Sequence, residues 1–81
     1  MTLEELRALI KRCFTTIFFE YKGIEGYVSP FHDSDIDSFV YVLFYNNSDV
    51  TVYDIDDAMK TPFIEGKSLE EMIDQLENFG W

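Results

Sequence analysis

Ser38-Phe-Val-Tyr-Val-Leu-Phe-Tyr45, Asn46-Asn-Ser-Asp49 and Val50-Thr-Val-Tyr-Asp54 form the stretch around which this chain is organised. Phe39 to Tyr45 are seven consecutive apolar residues, nearly all β-branched or aromatic, which suits a pleated and well-covered strand. Asn46, Asn47, Ser48 and Asp49 are turn formers, because their short polar side chains bond nearby backbone and Asn tolerates positive φ. Strand chemistry resumes from Val50 to Tyr53, so the middle of the chain reads as a β-hairpin. Its first strand is apolar on both faces, with Phe39, Tyr41, Leu43 and Tyr45 on one and Val40, Val42 and Phe44 on the other.

Upstream, Thr2-Leu-Glu-Glu5 has the capping-box pattern, in which Thr2 and Glu5 each satisfy the other's backbone N–H. Leu3, Leu6, Leu9, Ile10 and Cys13 follow at helical spacing, predicting a helix over about Leu3–Cys13. Thr15 to Phe19 then favours extended chain, and Lys22-Gly23 suits a two-residue turn. That turn sets Ile17, Phe19, Tyr21, Ile24 and Val28 on one face and Phe18, Glu20, Glu25 and Tyr27 on the other. It also places Glu20 opposite Glu25, a mildly repulsive pair. Pro30 is expected to end the second strand, leaving Phe31 to Asp37 as an acidic loop.

Downstream, Ile55 to Met59 reads as one helical turn, broken at Thr61-Pro62. Ser68-Leu-Glu-Glu71 is a second capping box. The stripe Leu69, Met72, Ile73, Leu76 and Phe79 predicts a C-terminal helix capped by Gly80. The order is α-β-β-β-β-α in one domain, residues 1–81. The predicted fold is α+β, a two-layer sandwich with a four-stranded antiparallel sheet and both helices on one face. The other face then keeps apolar side chains, with Tyr53, Phe18 and Tyr27 as candidates to join them. A bare patch of that kind suits an interface, including a homodimer contact.

The formal charge is −10, beyond the usual magnitude of ~2–8 for a small domain. Direct binding to nucleic acid or to an anionic membrane needs basic patches and is not expected. Lys22 is the last basic residue before Lys60, and Glu25, Asp33, Asp35, Asp37, Asp49, Asp54, Asp56 and Asp57 lie between them. Asp33, Asp35 and Asp37 enter the third strand and Asp54, Asp56 and Asp57 leave the fourth. All six should therefore lie at one end of the central hairpin, with Asp49 at the other. These six are the candidate partner-binding residues, and solubility alone is the ordinary explanation for such a run.

Asp33-Ser-Asp35-Ile-Asp37 has the opening spacing of a calcium loop, but the turn glycine is replaced by Ser38 and the bidentate acid by Phe44. Tight metal binding is not expected and no cofactor is implied. Cys13, the lone cysteine, suits a core thiol and a reducing compartment. His32 is the lone histidine, and nothing in the sequence orients it toward a nucleophile or builds an oxyanion site. Gly23-Ile-Glu-Gly26 matches a GxxG backbone clamp only in outline, with an acid where phosphate must approach. The chain opens without a basic, apolar leader, so a soluble, cytoplasmic protein is expected, and the lack of a catalytic constellation makes it a non-enzymatic one.

Two segments carry a resemblance. Thr51-Val-Tyr-Asp-Ile-Asp-Asp-Ala-Met-Lys-Thr-Pro-Phe-Ile-Glu-Gly-Lys-Ser-Leu-Glu-Glu71 and Tyr21-Lys-Gly-Ile-Glu-Gly-Tyr27 together resemble small uncharacterised acidic proteins of Gram-positive phages and mobile elements. The segments cover about a third of the chain and hold no catalytic motif. The resemblance implies a setting in which small acidic proteins act as inhibitors, among them DNA-mimicking anti-restriction and anti-CRISPR proteins. The expected function is thus an acidic binding protein that mimics nucleic-acid charge against a basic defence or toxin protein. The alternative is a structural or regulatory homodimer whose acidity serves solubility.

Overall fold

Leu43 is completely buried on the third strand of a five-stranded antiparallel sheet. In this computed structural model, residues 1–12 and 15–81 are described. The elements are α1 (Leu3–Lys11), β1 (Ile17–Tyr21), β2 (Ile24–Asp33), β3 (Ser38–Tyr45), β4 (Ser48–Val52), α2 (Ile55–Lys60), α3 (Leu69–Met72) and β5 (Glu77–Gly80). The spatial order is β4-β3-β2-β1-β5. The α+β class holds, but the sheet has five strands where four were expected; the helical turn expected at Ile55–Met59 forms as α2, and the C-terminal helix is reduced to Leu69–Met72.

The two hairpins rest on local chemistry. Lys22 and Gly23 both adopt positive φ, 55° and 74°, as a two-residue hairpin loop requires. The register pairs Ile17 with Val28, Phe19 with Gly26 and Tyr21 with Ile24, as the sequence indicates. Asn46 and Asn47 close the second hairpin at φ 50° and 64°. Two left-handed asparagines complete that loop, so Ser48 and Asp49 are not part of the turn as expected. They belong to β4, opposite Tyr45 and Phe44.

Both capping boxes form. Thr2 Oγ1 accepts from the Glu5 N–H at 3.1 Å and Ser68 Oγ from the Glu71 N–H at 3.3 Å. α1 buries Leu6 and Ile10, and α2 buries Ala58 and Met59. With Leu69, Met72, Phe63 and Ile64 they pack on Ile17, Phe19, Val28, Tyr41, Leu43 and Val52 to make the core. Tyr45 is buried beside them and donates its hydroxyl to the Tyr21 carbonyl at 2.8 Å, and burial raises its pKa. Cys13, expected to end the α1 stripe, lies outside the described residues.

Two further expectations fail. β2 does not stop at Pro30 but runs to Asp33, with Pro30 opposite Tyr41. β1 begins only opposite Val28, so Pro30 sits where β2 has an unpaired edge, and a missing N–H there costs no ladder bond. Phe31 to Asp33 is therefore strand rather than loop. The C-terminal helix is also much shorter than its stripe: α3 ends at Met72, and Glu77–Gly80 forms β5 along the free edge of β1. Leu69, Met72 and Leu76 still point inward. Phe79 instead packs from the strand, its ring 6.5 Å from that of Phe19. Gly80 caps no helix and lies opposite Phe18. A short helix gains little alone, and pairing an exposed strand edge outweighs it.

Candidate functional site: an acidic ribbon and an uncovered sheet face

β2 and β3 outrun their neighbours. β1 begins opposite Val28 and β4 ends opposite Tyr41, so Phe31–Asp33 and Ser38–Val40 pair only with each other. The result is a two-stranded ribbon projecting from the sheet, in a molecule measuring 36 × 24 × 19 Å. At its tip, Asp33 Oδ1 accepts from the Asp35 N–H at 3.0 Å, and Asp37 adopts φ 50°. His32 Nε2 lies 3.2 Å from Asp37 Oδ1, with its ring edge-on to Phe39 at 5.6 Å. Phe31, Ile36 and Phe39 are 44%, 52% and 44% exposed around these acids. The ribbon thus holds Asp33, Asp35 and Asp37 together with apolar side chains that no helix covers.

The second trio is held differently. Asp54 is the N-cap of α2 and accepts from the Asp57 N–H at 2.8 Å. Asp56 pairs with Arg7 of α1, and that guanidinium holds its carboxyl below the ordinary carboxylate range. Asp57 is exposed in the first turn. β4 ends opposite Tyr41 while the ribbon turn starts beyond Ser38, an offset of three residues, or ~10 Å at strand rise. Among the described residues no bond links one trio to the other. Each trio is assembled locally, at the same end of the hairpin, and Asp49 sits at the far end opposite Phe44.

The Arg7–Asp56 pair ties α1 to α2 and has a measurable sign. A carboxylate whose folded pKa is depressed adds stability above its unfolded pKa, ~3.9, and loses it as pH falls through the folded value. Asp56→Asn is expected to lower the urea midpoint near neutral pH and to match the parent once both are fully protonated in strong acid. Equal midpoints at neutral pH would show that the pair contributes nothing, as many exposed pairs do.

The face of the sheet opposite the helices carries the half-buried Val42, Phe44 and Tyr27 and the exposed Phe18, while Val40 on the same face is buried. Tyr27 and Phe44 stack with centroids 4.9 Å apart, and Phe18 meets Tyr27 edge-on at 6.2 Å. Phe18 is 42% exposed. One step along the strands, Glu25 faces Glu20, which in turn faces Glu77 of β5. Asn78, at φ 53° in the bulge of β5, donates to Glu20 Oε2 at 3.3 Å. This carboxylate row was not among the candidate residues. Its signal was the repulsive Glu20–Glu25 pairing, a like-charge contact with no structural benefit of its own; Glu77 joined only when β5 docked.

Other candidates assemble less. Among the described residues no group of three or more His, Cys, Asp or Glu is placed to hold a metal ion. A pairing of Cys13 with His32 lies outside the described residues. An open cleft of about 340 Å³ is lined by Tyr45, Phe63 and Glu65, and Glu65 is paired with Lys22 at 3.2 Å. No helix among the described residues is long and apolar enough to cross a membrane. Comparison with protein-family models, with curated proteins and with solved structures found no match for the chain.

Proposed function

We propose that this protein is a non-enzymatic acidic binding protein that presents carboxylates to a basic protein surface. It mimics nucleic-acid charge, in the manner of a phage or mobile-element inhibitor of a defence enzyme or toxin. The observation that supports the reading is the projecting ribbon, which carries Asp33, Asp35 and Asp37 beside exposed Phe31, Ile36 and Phe39. DNA presents one negative charge per ~1.7 Å of its axis, so a mimic must hold several acids on a fixed support. A paired ribbon is such a support; Asp54, Asp56 and Asp57 add to the field from the α2 end. Charge complementarity of this kind acts chiefly on the association rate.

The test is affinity capture from host lysate at low and high salt, followed by measurement on the captured basic partner. Asp33→Asn/Asp35→Asn/Asp37→Asn is expected to weaken binding roughly ten-fold or more and to flatten its salt dependence. Adding Asp54→Asn, Asp56→Asn and Asp57→Asn should complete the loss, with the α2 cap kept because Asn caps as well as Asp. Asp49→Asn should change little. Wild-type binding by the sextuple variant, or binding indifferent to salt, overturns the mimicry reading. The second reading, a homodimer, draws on the uncovered row Phe18, Tyr27 and Phe44.

A further inference from the structure

The charges of this protein are segregated by layer. All six basic residues lie on helices, caps or connections: Arg7, Lys11 and Arg12 with α1, Lys22 in the first turn, Lys60 in α2, Lys67 before α3. None lies on a strand. The uncovered sheet face carries Glu20, Glu25, Glu77 and Asp49 around its aromatic row. Its acids therefore lack a basic neighbour within the sheet, and the hydrogen bond from Asn78 to Glu20 is a neutral one.

We propose that this face docks a cationic amphipathic helix of a partner protein, its apolar stripe on Phe18, Tyr27 and Phe44 and its flanking Lys or Arg on Glu20 and Glu25. The inference goes beyond the ribbon reading, because it uses a different surface. Four alternatives meet physical objections. A second copy would bring the same row of carboxylates against its own kind, in a chain of net charge −10. Nucleic acid and anionic lipid are repelled for the same reason. A neutral apolar partner would strip water from Glu20 and Glu25 without replacing it.

The spacing suits a helix. Phe18 to Glu20, and Tyr27 to Glu25, are two residues along a strand, so the acid row lies ~7 Å to one side of the aromatic row. An amphipathic helix ~10–12 Å across carries its flanking cations beside its apolar stripe with a similar lateral offset. Arg adds stacking on the Tyr27–Phe44 pair, which a point charge does not. The opposite face of the same sheet already accepts α1, α2 and α3, so helix-on-sheet packing is the geometry this fold uses.

The probe is a synthetic Leu/Lys peptide of about five helical turns, labelled for fluorescence anisotropy. Two relatives serve as references, one with Lys changed to Glu and one with Leu changed to Ser. The Leu/Lys peptide is expected to bind and both references to bind at least about ten-fold more weakly. Glu20→Gln/Glu25→Gln should reduce affinity roughly ten-fold and flatten its salt dependence, and Phe44→Thr should reduce it comparably with salt dependence kept. Circular dichroism checks the fold of each variant; the Gln pair removes a repulsion and has no reason to unfold. Asp33→Asn/Asp35→Asn/Asp37→Asn should leave peptide binding nearly unchanged, which separates this face from the ribbon. The proposal is overturned if the ribbon variant loses as much as the Gln pair, if the Ser/Lys peptide binds as well, or if no peptide binds. It is overturned equally if sedimentation shows a dimer that Phe44→Thr dissociates, since the face then belongs to a second copy.

Discussion

Phe19→Ala is expected to leave this protein close to or past its unfolding threshold. Phe19 is 1% exposed, edge-on to Phe63 at 6.2 Å and tilted against Phe79 at 6.5 Å. It sits where β1, the connection after α2 and β5 meet. Removing a buried phenylalanine ring costs ~3–5 kcal/mol, part transfer energy and part cavity. A domain of this length is stable by roughly 4–12 kcal/mol in total. The ring also gives Phe79 its partner, so β5 should loosen before the rest of the sheet. Urea denaturation followed by circular dichroism checks the total, and hydrogen exchange at residues 77–80 checks the order. A loss below ~1 kcal/mol would mean that the ring is not a core element.

Gly26→Ala should be the most damaging one-carbon addition in the chain. A Cβ at Gly26 would lie 2.6 Å from two atoms of the Phe19 ring and 2.7 Å from the Phe44 carbonyl oxygen. The ring is held between Phe63 and Phe79, and the carbonyl is strand backbone, so neither neighbour yields easily. Overpacking of this kind costs ~1–3 kcal/mol or more, above the small gain alanine brings to a strand. The pair is diagnostic in a double-mutant cycle. With the ring gone, much of the clash goes too, so Phe19→Ala/Gly26→Ala should cost clearly less than the two single losses together. What remains of the glycine's effect reports the Phe44 carbonyl alone. Additive losses would show that the ring does not lie over Gly26.

Glu20→Gln/Glu25→Gln ties stability to the uncovered face. It relieves a cross-strand like-charge contact, which works against the fold, while removing the charge expected to hold a partner. A pair that costs the free protein stability and serves only the bound state is the arrangement expected at a binding face.

What this sequence determined by itself is local. Lys22-Gly23 was legible as a two-residue hairpin loop, which sets which side chains alternate to each face, and Asn46 to Asp49 was legible as a turn, though only Asn46 and Asn47 form its loop. The capping boxes at Thr2 and Ser68 need only four consecutive residues each. The segregation of Ile17, Phe19 and Val28 from Phe18, Glu20 and Tyr27 follows from a period of two. Tertiary structure decided everything that depended on an absent neighbour. Pro30 was compatible with a strand only because β1 stops short of it. Leu69 to Phe79 had a helical stripe, yet the open edge of β1 drew Glu77–Gly80 into the sheet. Which apolar face of β3 stayed uncovered, and which acids gathered beside it, depended on where the helices and β5 docked. Pattern reports what a segment can bury; pairing across the fold determines what it does bury, because edge hydrogen bonds and core contacts form between residues far apart in the chain.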